Sequence, residues 1–163
     1  ISHNKIYCDI VSELEAGKNV AMLTIGDPSV YSTYMYIHKR VMQAGFTAVM
    51  ISGVPSFCAA AARLGISLGE MRDEIHIIPA SYDVRDTVGY GGTCVYMKSG
   101  KKLAELIEVL RTAANGGTDT DEKADMTVYG VTNCGMESER VYRGLDELTK
   151  AKGYLTIVIV KYS

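Results

Sequence analysis

The chain lacks any run approaching the roughly 20 apolar residues of a membrane span, and its N-terminus carries no basic stretch followed by an apolar one. Neither a membrane partner nor a signal peptide is expected, and a cytoplasmic globular protein is the default. No CxxC pair occurs: Cys8, Cys58, Cys94 and Cys134 are far apart, which excludes a paired-cysteine zinc site and predicts reduced thiols. Neither charge sign forms a long run, and 17 basic residues against 19 acidic ones give a formal net charge of −2. A surface that tracks a phosphate backbone is therefore not expected, and nucleic acid is not a predicted partner. His3, His38 and His76 are isolated from one another and from ligand-spaced carboxylates, so no protein metal site is predicted. His76, inside an apolar strand, reads as a core or edge residue. Neither GxxxxGK[ST] nor GxGxxG is present, which removes the common phosphate-binding loops.

What is present is a chain of 163 residues with 47% hydrophobic content, enough for a packed core. Ile6, Ile10, Val11 and Leu14 recur at helical spacing and Gly17 stops them, predicting a helix over 3–16. Val20 to Ile25 is a short apolar run of the kind buried on both faces of a parallel sheet, and Ala48 to Ile51 is a second. Between them, residues 29–44 return to helical spacing. Residues 55–64 predict a helix with a very small face, and Ile75 to Ile78 another strand. This alternation predicts an α/β fold with a parallel sheet. Residues 81–92 mix charge, tyrosine and glycine, so a linker is expected there between a first lobe, 1–80, and a second, 93–163. In the second, Thr93–Met97, Met126–Val131 and Tyr154–Lys161 predict strands, Leu103–Leu110 a helix, Ala114–Asp119 a loop, and 141–152 a turn with a short helix.

The chemistry-bearing feature is Gly26-Asp27-Pro28, directly after the first apolar run. Pro28 suits a first helical position, which would put Asp27 at the N-cap, and Gly26 permits a sharp turn or a close ligand approach. On these residues alone a capped turn and a ligand site both remain open. Ligands of open parallel sheets bind beyond the carboxyl ends of strands, where this turn lies. Ser52-Gly53-Val54-Pro55-Ser56 makes a comparable turn after the second run, and the small residues of Ser56-Phe57-Cys58-Ala59-Ala60 suit either tight packing or a flat ligand. An aspartate in the first turn would repel an anion and suits a ligand with hydroxyls or positive charge.

Thr24-Ile25-Gly26-Asp27-Pro28-Ser29-Val30 resembles a signature of the tetrapyrrole methylase family, and the following Tyr31-Ser32-Thr33 resembles its branch acting at C(20) of precorrin-2. The resemblance continues through Ile51–Phe57, Gly65-Ile66-Ser67-Leu68, Val95-Tyr96-Met97 and Tyr154–Val158, spanning essentially the whole chain. It implies a two-lobed α/β fold, the first lobe an incomplete parallel-sheet unit and the second a mixed-sheet unit. It also implies S-adenosylmethionine as cofactor, held between the lobes by Ile25, Gly26, Asp27, Val30, Pro55, Ser56, Phe57, Met97, Asn133, Cys134 and Thr156. A tetrapyrrole substrate, precorrin-2 or its cobalt form, is implied beside Tyr31, Ser32, Thr33 and Arg85, with Tyr82, Asp83 and Tyr90 as further polar candidates. A homodimer is implied too.

Two departures stand out. Ser52 occupies a position where the family commonly has proline, and nothing matches the strand and glycine- and proline-rich loop with which members begin. The chain is therefore expected to be an N-terminally truncated member. No catalytic side chain is assigned, because methyl transfer from a sulfonium is an in-line displacement that requires mainly positioning. A methylase acting on another corrin carbon, on RNA or on a protein, and a non-catalytic folded fragment, are the alternatives.

Overall fold

The computed structural model describes residues 2–81, 83–116 and 125–163. Tyr82 and the last three residues of the loop expected at 114–119 lie outside the described residues. The chain forms two compact units, Ile1–Pro55 and Ser56–Ser163, so the division falls well before the linker expected at 81–92.

In the first unit, α1 (His3–Glu15) starts where the Ser2 hydroxyl accepts the Asn4 N–H at 3.2 Å. It packs against α2 (Tyr34–Gln43), whose Ile37 and Val41 are buried. Arg40 joins the two helices: its guanidinium lies 3.8 Å from the centre of the Tyr7 ring and donates to Asn4 Oδ1 at 2.8 Å.

The two buried parallel strands expected at Val20–Ile25 and Ala48–Ile51 are not found. Neither segment joins a ladder, and Leu23 is 91% and Ile51 83% exposed. A strand is completed by hydrogen bonds to neighbours and cover on both faces, and no described strand flanks either run. Between Met22 and Ile25, half-buried Met22 and Thr24 alternate with exposed Leu23 and Ile25, the period of two of a chain covered on one face.

The second unit confirms the α/β class and the mixed sheet. Its strands are β1 (Ile75–Pro79), β2 (Thr93–Met97), β3 (Met126–Thr132), β4 (Arg140–Arg143) and β5 (Thr156–Tyr162), in the spatial order β1-β2-β5-β3-β4. β1 and β2 are parallel, and the other neighbours are antiparallel. β1, expected in the first lobe, is an edge strand of this sheet, so His76 sits at an edge. β4 was not expected; within 141–152 only α5 (Leu145–Leu148) matches the anticipated short helix.

Period-two alternation gives the sheet two apolar faces. Cys94, Tyr96, Val128, Val158 and Val160 face a cluster with Leu103, Leu106, Ile107 and Leu110 of α4 (Leu103–Ala114) and Leu148 of α5. α3 (Ser56–Leu64) packs on β3 and β5, burying Phe57, Ala60, Ala61 and Leu64. The segment expected as a linker is itself tied to the core: Val84 is 2% exposed, and the Thr87 hydroxyl lies 3.1 Å from the buried Tyr96 hydroxyl.

Gly100, just after β2, has no room for a side chain: a Cβ there would fall on the Gly153 carbonyl oxygen and 2.7 Å from Tyr154 Cα. Both obstacles are backbone that leads into β5. Gly100→Ala is expected to destabilise the protein by about 1–3 kcal/mol, as overpacking against an unyielding neighbour does. Urea unfolding with a midpoint equal to wild type would contradict that.

Candidate functional site

Asp27 is the best-defined polar group of the first unit. The residue is 8% exposed, and its carboxylate accepts four hydrogen bonds from the described residues. Oδ1 takes the Ser29 backbone N–H at 2.8 Å and the Ser29 hydroxyl at 2.5 Å. Oδ2 takes the Ser52 hydroxyl at 2.6 Å and the Gly53 backbone N–H at 3.0 Å. The Ser29 hydroxyl, then the Ser52 hydroxyl and the two amides, hold the carboxyl well below the usual aspartate range, against the opposing effect of burial. The folded-state value is lowered, so the group's stabilising contribution is fully present above the ordinary range of about 4 and is lost progressively as pH falls from there through the lowered value.

The expected helix start at Pro28 is corrected: α2 begins at Tyr34, and Asp27 instead closes a turn in which the Val30 N–H donates to the Asp27 carbonyl at 3.2 Å. A side-chain bond to the amide two residues on is the characteristic aspartate turn, which competes with helix initiation. Gly26 has φ +82°, a left-handed conformation open to glycine. Gly53 approaches so closely that a Cβ on it would fall on the Gly26 carbonyl oxygen. The two glycine-bearing turns predicted to border one crevice are thus brought into contact.

Of the remaining residues expected here, Ile25 is 83% exposed, Val30 and Pro55 are half-buried, and Thr33 is exposed. Tyr31 has φ +48°, rare for a bulky side chain, and follows the aspartate turn directly. The Ser32 hydroxyl accepts the Tyr34 N–H at 3.2 Å. The Tyr34 hydroxyl, not anticipated, lies 3.1 Å from His38 Nδ1 one helical turn on.

In the second unit the strand register gathers several predicted residues at one end of the sheet. Thr132 pairs with Thr156, Asn133 follows β3, and Met97 ends β2 one residue beyond the Tyr96–Val158 pair. Thr156 is fully buried; its hydroxyl donates to the Gly153 carbonyl at 2.8 Å and lies 3.1 Å from the Thr132 hydroxyl. Met97 is 7% exposed, and its carbonyl accepts the Ala80 N–H at 2.9 Å. Asn133, at φ +51°, donates its backbone N–H to Leu155 O at 2.9 Å. Cys134 is half-buried, and burial and then Glu139 push its thiol up. Ser56 opens α3, while the Phe57 side chain is buried beneath it. Arg85 is exposed, with ion pairs of 3.5 Å to Asp83 and 3.9 Å to Glu105.

Ser29, Ser52 and Glu139 had no predicted role. Ser29, two residues after Asp27, carries the local signature of an aspartate turn. Ser52 lies 25 residues away, with no local signal. Glu139 accepts the Gly135 N–H at 2.7 Å and pairs with Arg63 of α3, the amide and then the arginine lowering its carboxyl. That pair fastens α3 to the turn carrying Asn133 and Cys134.

The family model described as Tetrapyrrole (Corrin/Porphyrin) Methylases matches residues 2–148. A Methanocaldococcus jannaschii protein named "Probable cobalt-precorrin-2 C(20)-methyltransferase" is 30% identical over 151 residues, 91% of this chain and 61% of that protein. The cobalt-precorrin-2 C(20)-methyltransferase of Salmonella typhimurium is 32% identical over 113 residues, 68% of this chain and 47% of the relative. The chain thus spans about half to three fifths of these relatives' length. Among solved structures, a cobalt precorrin-4 methyltransferase superposes with a TM-score of 0.80 at 17% identity, covering 99% of this chain and 71% of the other. A uroporphyrin-III C-methyl transferase from Thermus thermophilus, complexed with S-adenyl homocysteine, gives 0.73 at 17% identity, covering 98% and 73%. Such identities show a shared fold, and the family match over most of the sequence goes further: this chain belongs to the tetrapyrrole methylase family.

Proposed function

We propose that the protein takes part in S-adenosylmethionine-dependent C-methylation of a tetrapyrrole, at C(20) of precorrin-2 or its cobalt form, in cobalamin biosynthesis. The match to the M. jannaschii protein over 91% of the chain carries the C(20) assignment. A precorrin-4 C(11)-methyltransferase of Rhodococcus erythropolis is also similar, at 29% identity, and C(11) is the competing ring position.

The residues proposed to meet the cofactor are Ile25, Gly26, Asp27, Val30 and Pro55 in the first unit and Ser56, Phe57, Met97, Asn133, Cys134 and Thr156 in the second. No basic side chain occurs among them. Their hydroxyls and backbone groups suit the ribose hydroxyls of a nucleoside cofactor, and they offer no cation to neutralise a phosphate. When bound, S-adenosylmethionine supplies an electrophilic methyl group. The transfer it would supply exchanges the methyl–sulfur bond for a methyl–carbon bond on the substrate, whose ring would then give up a proton. The chain's own part is alignment and exclusion of water.

Tyr31, Ser32, Thr33 and Arg85 are proposed to meet the tetrapyrrole. Arg85 holds its acidic neighbours only loosely, which leaves its guanidinium available to the carboxylates of a tetrapyrrole. Arg85→Ala is expected to raise KM for the tetrapyrrole by about three- to tenfold with kcat little changed, the pattern of lost uniform binding. A KM within error of wild type would remove Arg85 from the site.

On this reading the protein works in the cytoplasm as a homodimer, and a single monomeric boundary in sedimentation velocity would refute the dimer. The reaction itself is tested with 13C-methyl-labelled S-adenosylmethionine and precorrin-2 or its cobalt form under reducing conditions. Label at C(20) is the expected result. Label at C(11) or another ring carbon would move the position while keeping the reaction class. No label in any tetrapyrrole, with no binding of S-adenosylhomocysteine by calorimetry, would overturn the proposal.

A further inference from the structure

We infer that Asp27 and Ser52 are positioning residues: their side chains hold the two turns of the first unit at one fixed separation and touch no ligand, so that Asp27 meets the cofactor through its backbone alone. The inference deepens the cofactor reading above and rests on it for its effect on affinity.

The turns at Gly26–Val30 and Ser52–Pro55 come from segments that no ladder joins among the described residues. Register therefore cannot set their spacing. The Asp27 carboxylate bridges them instead. Its Oδ1 is aimed by the two bonds from Ser29 in its own turn, which leaves Oδ2 facing the second turn. There Oδ2 receives the Ser52 hydroxyl at 2.6 Å and the Gly53 N–H at 3.0 Å. An ionised carboxylate has about four lone-pair sites, and four donors occupy them, so none is left for a ribose hydroxyl. The closest approach is fixed from the other side by Gly53, whose absent Cβ is what lets it sit against the Gly26 carbonyl. Attraction through Oδ2 and contact at Gly53 together define a single distance.

Ser52 makes this testable without disturbing a core, because the residue is exposed and its hydroxyl makes its short bond to Asp27. In purified 15N-labelled protein, amide exchange at Ser29 and Gly53 reports the bridge with no cofactor present. Calorimetry with S-adenosylhomocysteine then reports its consequence. Asp27→Asn, which cannot accept at both oxygens, is expected to speed Gly53 exchange and to weaken binding by about tenfold or more, the usual effect of losing hydrogen bonds to a charged group. Ser52→Ala is expected to do the same to a smaller extent, about three- to tenfold, and Ser52→Thr, which keeps the donor, to return both readouts to within about twofold. Weakened binding in Asp27→Asn with unchanged Gly53 exchange and unchanged affinity in Ser52→Ala would mean that Asp27 touches the ligand directly, and would overturn the inference. Equal Gly53 exchange in wild type and Asp27→Asn would overturn it irrespective of binding. Failure of the wild-type protein to bind S-adenosylhomocysteine would instead strike the cofactor reading, while the exchange measurement still decides the bridge.

Discussion

β5 is the constraint on which the second unit depends. It is the central strand, antiparallel to β2 on one side and to β3 on the other, and Thr156 through Val160 are buried. Because side chains alternate strictly along a strand, a shift of one residue in either pairing would turn Val158 and Val160 away from α4 and leave Ile157 and Ile159 in their place. The same register brings the end of β2, the end of β3 and the start of β5 to one edge. Met97, Asn133 and Thr156 therefore arrive together as a consequence of core packing, with no polar interaction needed to recruit them. The close backbone approach of Gly100 to Gly153 and Tyr154 sets the entry into β5 and fixes where that edge lies.

The first unit solves a similar positioning problem by other means. Its two apolar runs lack a ladder, so the turns that follow them are tied by a carboxylate with four donors. Such a tie is short-ranged and specific: it fixes two turns to within a hydrogen-bond length while leaving the preceding segments exposed. Ser52 supplies one of those four donors through its hydroxyl. A proline at that position has neither a hydroxyl nor an N–H to give, so the bond from residue 52 to Asp27 belongs to a chain that carries serine there.

The legible parts of the sequence were those in which local pattern and burial agree. α1, α3, α4, β2, β3 and β5 follow from periodicity and from β-branched runs, and all lie within a few residues of expectation. β4 was not legible because Arg140 and Arg143 are exposed and Val141 and Tyr142 only half-buried, so this edge strand has no apolar signature. Val20–Ile25 and Ala48–Ile51 failed for the opposite reason: apolar composition predicts burial only when a neighbour exists to supply it. Pro28 does not mark a helix start by itself, because its fixed φ suits a turn and a first helical position equally, and the Ser29 bonds to Asp27 decide between them.

At the candidate site, residue types were legible and their roles were not. Gly26-Asp27-Pro28 drew attention as a place where a ligand would meet a carboxylate, but a carboxylate's partners are a matter of three-dimensional capacity. Two of its donors come from residue 29 and could have been anticipated from spacing; the other two come from residues 52 and 53, reachable only once the chain has turned back. A carboxylate at such a turn can accept from a hydroxyl-bearing ligand only if its lone pairs are free. Here they are spent inside the protein, so the Asp27 side chain is left to act on a ligand through the geometry it maintains and through a negative charge that its four neutral donors do not cancel.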